Sequence, residues 1–338
     1  MPDATSDLPA AGNFIARAPI AVGSEAPVIA SPTPVVAKQS QSLGTWRSLR
    51  VARAERTGNY LPRLAIHAVL IAFAAFFLVP LLVVVMNALR SSADIAHSGV
   101  IGLPRELVWS NFSRTWSSYC ISQHCDGIQP YFWNSVRMVV PATIVSTLIG
   151  ALNGYSLSLW RFRGDTVVFG IMTLGVFLPE QMRLVPWVIV LRDLGLFNTI
   201  SGLVMIHIVQ GVSFTTLFCR NYYVSIPPDL LKAARIDGAG FFRIFWRIVL
   251  PLSPPILIVT VIWQFTGIWN EYLYGVTFSS GEHQPVTAAL IALSARLSEA
   301  PQYGEQSAAV LLAAGPTLLV YLFGGRYFLR GLTSGAVK

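Results

Sequence analysis

The sequence predicts an all-α polytopic membrane protein with six transmembrane helices, and three observations carry that prediction. Apolar residues make up 54% of the 338-residue chain and charged residues 12%, against about 45–50% and about 25% in soluble domains. The mean hydropathy is +0.58. Apolar runs of membrane-spanning length recur along the chain, and the largest gap among its later runs is a basic, polar interruption at 226–255 with helix signals of its own.

Residues 1–44 are rich in Ala, Pro and Ser and hold no useful apolar run, so they read as a disordered tail rather than a signal peptide. Segment 45–63 carries Arg47, Arg50, Arg53, Arg56 and Arg63 immediately before the first span. Basic residues in that position face anionic lipid, which makes membrane lipid an expected contact. Roughly 20 residues at about 1.5 Å each cross the hydrocarbon core. Runs at 64–88, 138–159, 167–191, 200–218, 252–274 and 307–329 meet that length. Within the third, Pro179 and Pro186 flank Glu180 and Arg183, so a kinked or broken helix is expected.

Orientation follows from Lys and Arg. The segment before the first span, the loop with Arg161 and Arg163, the central interruption and the end with Arg326, Arg330 and Lys338 are the basic ones. They are expected in the cytoplasm, together with both termini. The net charge of +8 is thereby assigned to membrane orientation rather than to nucleic acid. The loop at 91–131 is then outside, with Trp109, Phe112, Trp116, Tyr119 and Tyr131 as an interfacial belt or a folded cap. Cys120 and Cys125 lie in it. An oxidising compartment permits a disulfide there, and two free thiols are the alternative; a zinc site through His124 lacks a fourth ligand. Cys219 ends the fourth span on the other side. No metal-ligand spacing of the C-x₂-C type and no glycine-rich phosphate loop is present, so neither a cofactor nor ATP binding by this chain is expected.

In the central loop, 221–251, Pro227 and Pro228 suit a helix start and Asp229 adds charge to its first turn. Leu230 to Ile236 reads as a short helix and Asp237-Gly238 as a turn. A second helix follows, with Phe241, Ile244, Phe245, Ile248 and Val249 at helical spacing, and Pro251 is expected to end it. Two short helices around a bend make a rigid knob that another protein can push or pull.

The order Lys232-Ala233-Ala234-Arg235-Ile236-Asp237-Gly238-Ala239, followed by Leu250-Pro251, resembles the EAA coupling loop of ABC importer permeases. Further features are similar to the carbohydrate-uptake branch of that family, its maltose type. They are Asn134-Ser135 before the second span, Leu194 to Thr199 before the fourth, Trp269-Asn270-Glu271 in the fifth and the final residues 331–338. The likeness covers about 64–338, which is expected to form one transmembrane domain. It implies a non-enzymatic permease subunit moving a sugar across the cytoplasmic (inner) membrane. Its implied partners are two ATP-binding subunits, a second permease and an extracytoplasmic sugar-binding protein. Lys232, Ala233, Ala234, Asp237, Gly238, Ala239 and Pro251 are the implied ATPase-coupling residues, and the small ones would seat in a cleft of the ATPase. Where the family pattern has Glu this chain has Lys232, so a partner of that residue is expected to be acidic.

Polar groups inside a membrane are costly and mark pathways. Trp263, Gln264, Asn270 and Glu271 in the fifth span are therefore substrate-pathway candidates, aromatic faces for sugar C–H surfaces and amides for hydroxyls. Trp263, Asn270 and Tyr274 fall on about one face. The other reading of this group is an interfacial anchor. Glu180 and Arg183 are either a polar lining or an internal ion pair. His207 and Gln210 are expected to be buried and hydrogen-bonded. An importer of another small solute, or an ion-coupled secondary transporter, is the alternative. The latter needs buried carboxylates and related halves, and Glu180 is the one clear carboxylate within a span.

Overall fold

The computed structural model describes residues 60–121, 125–160, 162–296 and 302–334. The tail 1–44, the basic segment up to residue 59, Arg161 and the end beyond 334 lie outside them, as do the side chains beyond 325. The chain divides into two units, Met1–Ala74 and Ala75–Lys338. Every contact and site described below belongs to the second.

Every element among the described residues is helical. In order they are α1 (Tyr60–Ala88), α2 (Ser92–Ser98), α3 (Ser110–Ser117), α4 (Gln129–Leu159), α5 (Asp165–Phe177), α6 (Glu180–Asp193) and α7 (Ile200–Tyr223). There follow α8 (Pro228–Ile236), α9 (Phe241–Ile244), a π turn (Phe245–Val249), α10 (Leu250–Leu252), α11 (Pro254–Asn270) and α12 (Leu273–Phe278). A 3₁₀ turn (Gly281–His283), α13 (Val286–Arg296) and α14 (Tyr303–Ser334) complete the chain. Four helices, α1, α4, α7 and α14, are long and apolar enough to cross a membrane, and two bent pairs qualify when each is taken together.

The bends have identifiable causes. α5 and α6 meet at 105°. Leu178 (φ −66°, ψ 127°) and Pro179 (φ −54°, ψ 139°) are extended between them, since a residue preceding proline is pushed out of the helical region. Pro179 itself then stands as the N-cap of α6. The second bend, 80°, lies at Ser253, between the run 241–252 and α11. Here the sequence expectation needs correcting, because Pro251 does not end its helix. Proline lacks an N–H and crowds the carbonyl four residues back. The run widens just before it into a π turn, where the Leu250 N–H donates to the Phe245 carbonyl, and helix continues through Pro251 to Leu252. Ser253 is the true stop. Its hydroxyl bonds the Val249 carbonyl at 2.5 Å and the Tyr223 hydroxyl at 3.0 Å.

α4 and α7 form the closest helix pair, and glycines set how closely they approach. A Cβ on Gly150 would sit 2.4 Å from Thr215 Cβ, and one on Gly154 2.7 Å from Cys219 Cβ. One on Gly211 would meet Ser146 Cβ at 2.7 Å. Small residues one turn apart are the usual means of close packing between membrane helices. Around this pair, one core gathers Met138, Leu203, Ile206, Ile268, Trp269 and Tyr274 with Val286 and Ala289 of α13. A second, nearer the central loop, gathers Tyr155, Cys219, Tyr223, Leu231, Ile244 and Phe245. α13 was not expected from the sequence. At 11 residues it is too short to span, and apolar runs of that length belong to buried or re-entrant helices.

Within the described part of 91–131, α2 and its flanks are organised by Arg90. That side chain is fully buried and donates to Asp94 Oδ2 at 2.7 Å, Asn87 Oδ1 at 3.2 Å and the Gly99 carbonyl at 3.0 Å. The hydrogen bond from Arg90 holds the Asp94 carboxyl below the usual carboxylate range. A depressed carboxylate contributes its stability above its unfolded value of about 3.9 and loses it as pH falls through the folded one. The pair is therefore fully engaged at neutral pH. Cys120 and Cys125 are joined by a disulfide, while Cys219 is a buried free thiol. Thiol counting should accordingly find no reactive cysteine in the native protein, one after denaturation and three after denaturation with reductant. Two thiols labelled natively would mean that the cap bridge is absent.

Candidate functional site

Two features can do work, a knob formed by the central loop and a cavity among α5, α6, α7 and α11. The knob starts at α8, which buries Leu231 and Ala234 against the second core. Its end is closed by backbone geometry. Gly238 has φ +72°, the Gly238 N–H donates to the Arg235 carbonyl at 3.0 Å, and the Ala239 N–H to the Ala234 carbonyl at 2.9 Å. This pair of bonds is a Schellman closure, which satisfies the last carbonyls of the helix and places its C′ residue in the left-handed region. The knob is then clamped to the rest of the fold. Arg235 lies 4.5 Å above the Trp160 ring and donates to the Leu159 carbonyl at 3.2 Å. Tyr155 packs on Phe241 at 4.8 Å, and the Tyr222 hydroxyl bonds the Leu252 carbonyl at 3.0 Å.

This geometry sorts the residues picked from the sequence. Lys232, Ala233, Asp237, Gly238 and Pro251 are exposed. Ala234 is not, because the second core uses it, and Ala239 is half-buried. Ala234 thus packs inward on this chain and not on the outer face of α8. Lys232 has an acidic partner within its own helix, Asp229 Oδ1 at 3.0 Å, and a pair this exposed holds its geometry weakly. Sequence reasoning missed Ile236. It is 86% exposed at the tip of α8, where the closed turn holds it beside Asp237 and Gly238. Its signal was the sequence position itself, an isoleucine directly before Asp-Gly.

The cavity, of about 190 Å³, is lined by Gly175 and Val176 of α5, Glu180 and Arg183 of α6, and His207, Gln210, Gly211 and Phe214 of α7. Trp263, Gln264, Gly267 and Ile268 of α11 and Glu271 after it complete the wall. Five of the six pathway candidates thus face one space. Asn270 does not line it. The expected common face of Trp263, Asn270 and Tyr274 is broken because α11 ends at Asn270, and Tyr274 belongs to α12 and is fully buried. Glu271 makes that break. Its carboxylate accepts the Tyr274 N–H at 2.8 Å and the Gly275 N–H at 3.3 Å, capping the start of α12. The neighbouring Trp269 is a core residue, with its indole N–H donating to the Ala313 carbonyl at 2.8 Å. Gln264 is largely buried and donates to Thr215 Oγ1 at 3.2 Å. No ion pair joins Glu180 to Arg183 among the described residues, and Arg183 Nε is buried without a hydrogen-bond partner. The turn before α7 is also accounted for. Asn198 takes φ +60° and accepts the Ser280 N–H at 2.7 Å, while Thr199 caps the helix through the Gly202 N–H at 3.1 Å.

Residues 142–332, which include the knob and the cavity-lining helices, match the family described as binding-protein-dependent transport system inner membrane component. The chain belongs to this family. As a family member it is a multi-pass membrane component of a transport system and not its catalytic subunit. A diacetylchitobiose uptake system permease of Streptomyces coelicolor is 30% identical over 290 residues, 86% of this chain and 93% of that one. A xylose/arabinose import permease of Haloferax volcanii is 32% identical over 317 residues, 85% of this chain and 100% of that one. The fold is shared with a chain of a bacterial ABC transporter that imports the acidic polysaccharide alginate. The TM-score is 0.66 at 21% identity, over 80% of this chain and 98% of that one.

Proposed function

We propose that this chain is the permease subunit of an ATP-driven importer that carries a sugar across the cytoplasmic membrane. It spans the membrane six times, each bent pair counting as one crossing, with both termini and the knob in the cytoplasm and the 91–131 cap outside. Residues 64–338 form its transmembrane domain. It works with two ATP-binding subunits, a second permease and an extracytoplasmic binding protein. Lys232, Ala233, Ile236, Asp237 and Gly238 form the face that meets the ATPase.

The observation that carries this reading is mechanical. The knob's first helix passes through the closed turn at 237–240 into α9, the π turn and α10, and a bend at Ser253 separates that run from α11. α11 in turn supplies the cavity's Trp263, Gln264 and Gly267. A push on Ile236 and Gly238 therefore reaches the cavity wall through the closed turn, one helical run and the bend at Ser253. Sugar as cargo is supported by the named cargoes of the two permease relatives and by the mixed aromatic, amide and charged lining. An ion-coupled carrier fits less well, because of the two cavity carboxylates that of Glu271 is already engaged by two backbone N–H groups and only Glu180 is left.

Purification of the tagged chain in mild detergent, with its companions identified by mass spectrometry, tests the assembly. An ATP-hydrolysing subunit and a second multi-span chain are expected. A lone chain or a homodimer, reproduced under mild extraction, would overturn the reading.

A further inference from the structure

Two side chains of the cavity wall each carry a buried polar atom that nothing satisfies. Arg183 Nε and His207 Nε2 have no hydrogen-bond partner, both residues line the cavity, and His207 is only 4% exposed. Leaving such an atom unpaired is costly, and roughly nine in ten buried polar groups are paired. Their neighbours in the same wall do follow the rule. Gln210 donates to the Tyr274 hydroxyl at 2.7 Å, Gln264 to Thr215 and the Tyr274 and Gly275 amides to Glu271. Among the buried side-chain atoms of this wall, the unsatisfied ones are thus Arg183 Nε and His207 Nε2.

The space beside them is small and has an apolar side. About 190 Å³ falls below the roughly 300–1,000 Å³ that encloses drug-sized ligands, and suits one ring rather than a chain of them. Phe214 stacks on Trp263 at 5.4 Å with the planes 12° apart, fixing the indole while leaving it 54% exposed. Two carboxyl groups, Glu180 and Glu271, share the wall with the single guanidinium of Arg183, a balance that disfavours an anionic ligand.

We propose that this cavity is a subsite for one neutral, polyhydroxylated sugar ring. Arg183 and His207 are its hydroxyl partners, and Trp263 is the surface on which its C–H face rests. The inference rests on the reading of the chain as a sugar permease and deepens it, placing a recognition site within this subunit and excluding uronates as its ligand.

The test uses the complete transporter in proteoliposomes and ATP-driven uptake of a labelled panel of neutral mono- and disaccharides with the corresponding uronates. His207→Phe keeps a ring and removes the nitrogens, and Arg183→Gln, at a less buried position, gives a second probe should the first fail to assemble. Co-purification with the partner subunits reports assembly for both. Wild type is expected to import neutral sugars at least tenfold faster than their uronates. Each assembled variant is expected to lose tenfold or more on its best substrate and to change the ranking of sugars. Variants that import like wild type, or that lower every sugar equally, overturn the subsite and leave the sugar reading standing, as does a uronate imported as fast as its parent sugar. A wild-type transporter that imports no member of the panel removes the sugar reading itself, and the subsite with it.

Discussion

Gly238→Trp is expected to reduce ATP-driven uptake at least tenfold while the protein still reaches the membrane. The residue sits at φ +72°, and a Cβ built there meets nothing within 4 Å. A left-handed conformation costs an L-residue roughly 1–2 kcal/mol, which is local and tolerable in a turn clamped by Arg235 and Tyr155. The indole would leave from an open position on the turn, so its bulk falls on whatever seats there, beside the exposed Ile236. Gly238→Ala carries the same strain without the bulk and separates the two effects, so uptake within about threefold of wild type is expected for it. Normal uptake by the tryptophan variant, with normal membrane levels, would count heavily against a docking role for the knob.

Gly150→Leu should fail earlier, at folding. Its Cβ would stand 2.4 Å from Thr215 Cβ and 3.0 Å from the Thr216 backbone nitrogen, and backbone cannot swing aside as a flexible side chain can. Overpacking costs about 1–3 kcal/mol when neighbours relax, and more when they cannot. The α4–α7 pair holds both cores together, so the variant is expected to show low yield and early thermal aggregation in detergent. Gly170→Ala on α5, where nothing lies within 4 Å, is the control and should be neutral to slightly stabilising, since an interior helical glycine is worth roughly 0.5–1 kcal/mol less than alanine. Equal melting of the Gly150→Leu variant and wild type would show that the two helices are not in close contact in the membrane.

Apolar length and proline placement made the long helices and the break at Pro179 legible, because both act through local sterics and burial. The knob was legible for the same reason, Asp237-Gly238 being a backbone requirement written into two residues. Side-chain allegiance was harder. Ala233 and Ala234 look alike in sequence, yet only one faces outward, since Leu231 and Ala234 share the stripe that packs on Tyr155 and Phe245. Trp263, Asn270 and Tyr274 looked like one face of a single helix. Glu271, which lines the cavity, also caps α12 and so ends that face, and helix periodicity cannot foresee its own interruption. α13 was overlooked because a mostly apolar stretch of 11 residues is ambiguous by composition. His207 was expected to be buried with its hydrogen bonds made, and only the folded structure reveals a buried nitrogen left open.

The π turn at Phe245–Val249 also bears on which way the helix after it faces. A π turn holds one residue more than the α-helical turn it replaces. Here that surplus residue makes room for Pro251 within a continuous helix. Pro141, Pro186 and Pro316 sit within α-helices that have no such turn, so the wider turn is one way of housing a proline and not a condition of it. Its particular effect is on direction. A residue more in the turn rotates everything after it by about 100° around the helix axis, so the π turn sets which face of the following helix reaches the bend at Ser253.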